Sequence, residues 1–269
     1  MPPDLVDAYL ERLGLGRDDV STDADGLARL HRAHLAAVPF ENLDIVFAGG
    51  VAHDVDRAIE KIVGGRGGWC FECNGAFAVL LEALGLRVVR LGAAVLLDGP
   101  STVLEHLALE VSGGPDDLEP HLVDVGFGDA FDVPLRLNAR GPQPGGAATF
   151  ELLPSPQGTT LAEHVDGVPE ARYRFKRVDH AHADFADVAR RLQRDPERSW
   201  ATKPFATRLL DPARSDRVTL THDRLTLRVD GERRVEDVAP GEWGDVLAER
   251  FGIDLAAVRE PAEGDRARG

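Results

Sequence analysis

The run Arg66-Gly67-Gly68-Trp69-Cys70-Phe71-Glu72-Cys73-Asn74-Gly75 constrains this chain more than any other stretch. A glycine pair allows a tight turn, and the residues that follow, Gly75 to Leu84, read as a helix with a broad apolar face. Cys70 therefore falls where a turn enters a helix. The unpaired N–H groups and the positive dipole end of a helix N-terminus favour a negative charge. Such a setting favours the thiolate, the form of cysteine that does covalent chemistry. An isolated cysteine is ordinarily a small buried hydrophobe. The glycines before Cys70 and two partners downstream set it apart from that ordinary case.

The first partner is His106, near the start of the alternating segment Leu104-Glu105-His106-Leu107-Ala108-Leu109-Glu110-Val111, which reads as a strand. The second is Asp124, the carboxylate inside the apolar run Leu122-Val123-Asp124-Val125, which ends in Gly126-Phe127-Gly128. Cysteine, histidine and aspartate in that order can act as nucleophile, base and orienting acid. Taken singly, a strand histidine is a core residue and a strand-end aspartate a turn former.

Together these residues resemble the arylamine N-acetyltransferase family. The glycine-flanked Cys70 with Glu72 and Asn74 is similar to that family's nucleophile motif. His106 in His-Leu-Ala-Leu is similar to its histidine strand, and Asp124 in Val-Asp-Val-Gly-Phe-Gly to its aspartate motif. Leu30 to Leu35 followed by Val38-Pro39-Phe40-Glu41-Asn42-Leu43-Asp44 resembles its N-terminal signature. Pro204-Phe205 and Leu225-Thr226-Leu227-Arg228 resemble weaker C-terminal landmarks. Trp69, Cys73 and the segment from Arg190 to Thr202 depart from the pattern.

The resemblance implies an α+β fold: an N-terminal helical bundle, a central β-barrel and a C-terminal α/β lid, with a cysteine-protease-like Cys-His-Asp triad at their junction. It implies units at residues 1–86, 87–192 and 193–269, with Cys70 on the first and His106 and Asp124 on the second. It further implies transfer of an acetyl group from acetyl-coenzyme A through a Cys70 acyl-enzyme to arylamines, arylhydrazines or N-hydroxyarylamines, with ping-pong kinetics. Acetyl-coenzyme A is then a co-substrate, and no metal or resident cofactor is required. Gly126, Phe127 and Gly128 are the expected cofactor contacts, and Phe40, Val95, Phe127 and Phe205 the expected acceptor pocket. Arg66, Glu41 and Asn42 are expected to support the loop beneath the nucleophile, and His31, His34 and His121 to pack rather than act as bases.

Three other readings compete. Some relatives of the same fold release or cyclise polyketide chains from a carrier-protein thioester. Cys70 and Cys73 have the C-x-x-C spacing of a thiol-disulfide oxidoreductase, although the sequence before Cys70 reads helical instead of βαβ. A non-enzymatic binding module is the third. A structural zinc site lacks ligands, since zinc takes four, usually as two close pairs, and the chain has 2 cysteines.

The net charge of −15 argues against nucleic acid as a partner, because phosphates demand a basic face. A local arginine cluster still suffices for an anionic cofactor. Met1-Pro2-Pro3-Asp4 lacks the basic start of a secretory signal, no apolar run is long enough for a membrane span, and paired cysteines in one motif suit a reducing compartment. A cytoplasmic location is the expectation, with oligomeric state left open.

Helical spacing covers 4–15 and 26–37, with Ser21 or Asp25 as a cap for the second. A short helix is expected over Val55–Val63, and the Cys70 helix is expected to end near Gly85. Strands follow at Val88–Leu97, Glu105–Val111, Leu122–Val125, Phe150–Leu153 and Tyr173–Val178, with loops at Ser112–Pro120 and Ala139–Ala148. Then come a helix at Ala183–Leu192, strands at Arg217–Leu220 and Arg224–Val229, and a helix at Trp243–Phe251 stopped by Gly252. The charged tail from Pro261 is expected to be disordered.

Overall fold

A computed structural model describes residues 1–97, 101–102 and 104–259, so the tail from Pro261 lies outside the described residues. The first 86 residues are mainly helical: α1 (Pro3–Arg12), α2 (Ala24–Ala37), a two-residue strand β1 (Phe40–Glu41), α3 (Leu43–Phe47), α4 (Val55–Val63) and α5 (Cys70–Ala83). Side chains fix the helix starts. The Asp54 carboxylate accepts from the Asp56 and Arg57 amides at α4. At α2 the cap is Asp23, which accepts from Gly26 N, rather than Ser21 or Asp25. Ser21 instead donates to the Asp23 carboxylate at 2.8 Å, and the helix begins at Ala24, too early for Asp25 to precede it.

Helix α5 is buried from Cys70 to Ala78 and again at Leu80 and Leu81. It forms the centre of a core joining α1, α2 and α4 to the inner faces of two later strands, through Leu107, Leu109, Val111 and Val123. Burying a side chain such as Phe77 or Leu80 stabilises the fold by roughly 1.5–3 kcal/mol. Because every residue from Cys70 to Ala78 is buried, the N-terminal part of α5 is held in one position from all directions.

The chain then builds an antiparallel, barrel-like sheet of eight strands: β2 (Arg87–Val95), β3 (His106–Gly113), β4 (Leu118–Val123), β5 (Leu135–Arg136), β6 (Gln143–Pro144), β7 (Thr149–Ser155), β8 (Gly158–Val165) and β9 (Val168–Asp179). Their spatial order is β5-β4-β3-β2-β9-β8-β7-β6. The expected loop Ser112–Pro120 is shorter than the sequence suggested, because β3 runs to Gly113 and β4 starts at Leu118. Gly114 (φ 80°) and Asp117 (φ 49°) supply the left-handed backbone of the tight connection. The loop Ala139–Ala148 contains β6, which pairs with Phe150 and Thr149.

After β9 a 3₁₀ turn at His182–Phe185 leads into α6 (Ala186–Leu192), where one continuous helix was expected. Phe185, Ala189 and Leu192 bury into the helical core around α5. The rest comprises α7 (Ser199–Thr202), β10 (Ala206–Leu209), β11 (Arg217–Leu220), β12 (Arg224–Val229), β13 (Glu232–Asp237), α8 (Trp243–Phe251) and α9 (Leu255–Arg259). A second antiparallel sheet has the order β1-β10-β11-β12-β13. Its first strand comes from the N-terminal region, with Phe40 opposite Thr207 and Glu41 opposite Ala206. Gly252 ends α8 in the left-handed conformation, φ 68°. No helix among the described residues is long and apolar enough to cross a membrane.

Candidate active site

Cys70 is the first residue of α5, with Trp69 as the N-cap. Glu72 reaches back to accept from Trp69 N at 3.2 Å, which satisfies one of the helix's free amides. The Gly67-Gly68 pair does not use left-handed backbone. It is needed because a Cβ on Gly67 would lie 1.9 Å from the Pro39 carbonyl oxygen, and one on Gly68 would meet the Glu72 side chain at 2.6 Å. Phe40 and Gly68 form a parallel bridge there.

Beneath this turn lies a buried charge cluster. Arg66 donates to Glu41 and Asp44, both at 2.9 Å. Lys61 pairs with Asp44 at 2.6 Å and Glu72 at 3.0 Å. Burial alone would discharge Lys61, but the surrounding carboxylates raise its pKa. Asn42 works on a different element. It donates to the carbonyls of Trp200 and Lys203 and accepts from Phe205 N, so it fixes the segment around α7.

His106 opens β3, and Asp124 directly follows β4. The register Leu109 opposite Val123 brings both to one end of the barrel-like sheet. His106 Nε2 meets Asp124 Oδ2 at 2.7 Å, and both side chains are buried. The Asp124 Oδ1 atom accepts from Asn74 Nδ2 at 2.8 Å and from Gly126 N at 3.0 Å. Asn74 completes the link by donating to Leu107 O and accepting from Val125 N. One amide on the nucleophile helix thus ties together both strands that carry the other two groups.

Gly126 allows the close approach. A Cβ there would stand 2.8 Å from the Cα of Cys70 and 2.7 Å from Asn74 Nδ2. Burial lowers the pKa of His106, but the Asp124 charge, the hydrogen bond to it and the neighbouring Cys70 together push it up to about 10. Burial raises Asp124, and His106, Asn74 and Gly126 N more than reverse this, so its carboxyl lies below the ordinary range. The acid beside it thus favours the charged, imidazolium form of His106.

A cavity of about 240 Å³ opens over Cys70 and His106. Phe40, Val95, Phe127 and Phe205 all line it, as does Gly126; Gly128 does not reach it. Gly128 instead offers its carbonyl to the buried Arg217, at 2.9 Å. Sequence reasoning did not single out Glu105, Arg198 or Trp200, which also line the cavity. Trp69 and Trp200 stack at 5.4 Å, so two departures from the family pattern meet in one wall. Tyr173 was also missed as more than strand core. Its ring packs against His106 at 5.2 Å and Phe127 at 5.1 Å.

Cys73 and Cys70 are both free thiols. Cys73 is fully buried, with its thiol donating to Gly68 O at 3.1 Å. Burial pushes its pKa well up. His31 lies under the aspartate loop, with Nδ1 2.9 Å from Asp132 O and Nε2 3.1 Å from Asp124 O. His34 Nε2 meets the Tyr9 hydroxyl at 3.0 Å, and His121 Nδ1 meets Glu119 O. None of the three lines the cavity.

A family model described as N-acetyltransferase matches residues 23–259. The arylamine N-acetyltransferase of Mycobacterium tuberculosis is 30% identical over 260 residues, covering 94% of this chain and 90% of the relative. Human arylamine N-acetyltransferase 1 is 27% identical, covering 97% of this chain and 98% of its own length. Among solved structures, Mycobacterium marinum arylamine N-acetyltransferase in complex with CoA superposes with a TM-score of 0.83 at 30% identity, covering 94% of each chain. The Salmonella typhimurium enzyme gives 0.86 at 26% identity, covering 96% of this chain and 99% of its own.

Proposed function

The chain belongs to the arylamine N-acetyltransferase family and is an acetyltransferase enzyme, and on that premise we propose that it moves an acetyl group from acetyl-coenzyme A to an aromatic amine or hydrazine through a thioester on Cys70. The observation that carries this reading is the buried His106–Asp124 pair, whose histidine lines one cavity together with Cys70.

The Cys70 thiolate attacks the acetyl carbonyl, and the C–S bond to coenzyme A breaks. The leaving thiolate takes the proton held on His106. The amine then attacks the acetyl-enzyme; His106 accepts its proton, and the Cys70 sulfur leaves. Asp124 keeps the imidazole in one orientation and stabilises its charged form. A backbone N–H at Cys70 or just after it receives the developing oxyanion. Gly126 and Phe127 form the cofactor contacts of the Gly126-Phe127-Gly128 loop, with Gly128 standing back from the cavity on Arg217, and Phe40, Val95, Phe127 and Phe205 form the acceptor walls. Residues 1–86, 87–192 and 193–269 act as bundle, barrel and lid.

The buried Cys73 thiol, already hydrogen-bonded, speaks against a redox couple with Cys70. The test is the intact mass after brief exposure to acetyl-coenzyme A. One acetyl should be gained, and added arylamine should remove it. Parallel steady-state lines should accompany it. No acyl-enzyme, with intersecting lines, would mean direct transfer in a ternary complex.

A further inference from the structure

The acid of the site stands at the start of a loop, and a helix of the N-terminal region holds that loop from behind. Residues 124–134 join β4 to β5. They carry Asp124 first, then Gly126 and Phe127 of the cavity wall. Asp124 lies directly past the pair Leu109–Val123, where the ladder between β3 and β4 stops. It is 2% exposed, so its main-chain N–H and C=O need partners that the ladder no longer supplies.

His31, on α2, meets both groups. Its Nε2 lies 3.1 Å from Asp124 O and 3.4 Å from Asp124 N. Its Nδ1 lies 2.9 Å from Asp132 O, near the far end of the same loop. The ring is fully buried and stacks on Phe131 at 5.7 Å, the two planes 7° apart. One imidazole thus spans the loop from end to end. Burial lowers its pKa, which favours the neutral ring with a single N–H. With that hydrogen on Nδ1, the ring donates to Asp132 O and accepts the Asp124 amide.

The Asp132 end is firmly anchored. Its amide donates to Gly145 O at 2.7 Å, and its carboxylate accepts from the buried Arg217 at 3.2 Å. Arg217 also holds Gly128 O at 2.9 Å. His31 therefore ties Asp124 to fixed ground. The Asp124 carboxylate has its own contacts to His106, Asn74 and Gly126 N, but these act at the end of a side chain whose main chain must itself stay in place. A misplacement of about 1 Å can cost roughly 10²-fold in rate.

We infer that His31 is a positioning residue of the reaction: from α2 it holds the main chain of Asp124 and so fixes the aim of the carboxylate at His106, without touching substrate. This rests on the Cys70–His106–Asp124 reading above and adds what keeps its acid in place.

Three variants separate the two ends of the ring. His31→Phe keeps a ring on Phe131 and removes both nitrogens. His31→Gln carries an amide to the position of Nε2, beside Asp124, and His31→Asn carries one to the position of Nδ1, beside Asp132. Two readouts are taken: steady-state acetyl transfer, and the pH dependence of Cys70 alkylation by iodoacetamide, followed by mass, which needs no acetyl donor. His31→Phe should lower kcat by about tenfold or more and keep KM within about twofold. A misaimed Asp124 stabilises the His106 imidazolium less, so the acid limb of the alkylation profile should move to higher pH. His31→Gln should restore most of the rate and the wild-type profile, and His31→Asn should follow His31→Phe. If His31→Phe does not fold, the Gln and Asn variants decide alone. A wild-type rate and profile in His31→Phe, or equal behaviour of the Gln and Asn variants, overturns the role. So does a loss that follows the melting temperature while the alkylation profile stays put. A wild-type protein whose Cys70 shows neither acetylation nor pH-dependent alkylation would instead sink the triad reading, and the role of His31 with it.

Discussion

The helical core and the junction between core and barrel each hold a cysteine and a histidine, and they treat them in opposite ways. In the core, His34 touches Tyr9 and Phe77, and Cys73 donates to a backbone carbonyl. At the junction, His106 faces Asp124 and Cys70 opens onto a cavity. Both histidines are buried. Burial without an acid lowers His34 to about 3, whereas burial beside a carboxylate leaves His106 at about 10. Burial alone therefore does not set the charge of a side chain; the partner buried with it does.

The sharpest way to break this contrast uses the two cysteines. Cys70→Ser should abolish transfer and keep the fold, and Cys73→Ser should retain much of the activity. Rates of acetylation in both variants decide it, and the opposite pattern would move the nucleophile into the core. Next in size is Asp124→Asn, which keeps the shape and removes the charge. A loss of at least ~10² in kcat/KM is expected, the lower range of an acid–base contribution. His34→Gln should cost far less catalysis, and a comparable loss there would erase the distinction between the regions.

The two histidines also stabilise the fold in opposite pH windows. His106 has a folded pKa above its unfolded value near 6.5, so its pairing contributes fully below that pH and is lost as pH rises toward about 10. His34 has a depressed folded pKa, so its contribution is present above pH 6.5 and is lost as pH falls toward about 3. Thermal melts across pH should show the difference between wild type and His106→Gln narrowing on the alkaline side. The difference between wild type and His34→Gln should narrow on the acid side. Narrowing in the same direction would refute the assignment of the two charge states. The smallest effect is Tyr9→Phe, which removes the hydrogen bond to His34. It should cost about 1 kcal/mol of stability in denaturant titrations and leave kcat unchanged.

Local pattern was legible where a segment's own side chains decide its structure. Val55–Val63, Arg217–Leu220, Arg224–Val229 and Trp243–Phe251 begin and end where their periodicity and caps place them. Strand β13 was not, because Glu232 to Asp237 is exposed throughout and becomes a strand only by pairing with β12. Nor was β1, two residues whose partner lies far along the chain. The same division holds at the cavity. Cys70, His106 and Asp124 sit in motifs with local signatures. Glu105, Arg198, Trp200 and Tyr173 come from separate segments, and nothing in their neighbours announces that they meet. Asn74 was visible in its motif, but its bonds to Leu107, Asp124 and Val125 belong to the packed molecule.

The Asn42 clasp on Phe205 spans 163 positions of sequence. On a ribosome adding about 5–20 residues per second, that separation is roughly 10–30 s of synthesis. Through this interval the N-terminal helices, with the nucleophile already on α5, exist without the segment that walls their cavity. Chemical competence therefore arrives late and all at once, and a chain halted before Phe205 carries Cys70, His106 and Asp124 without an enclosed place for a substrate.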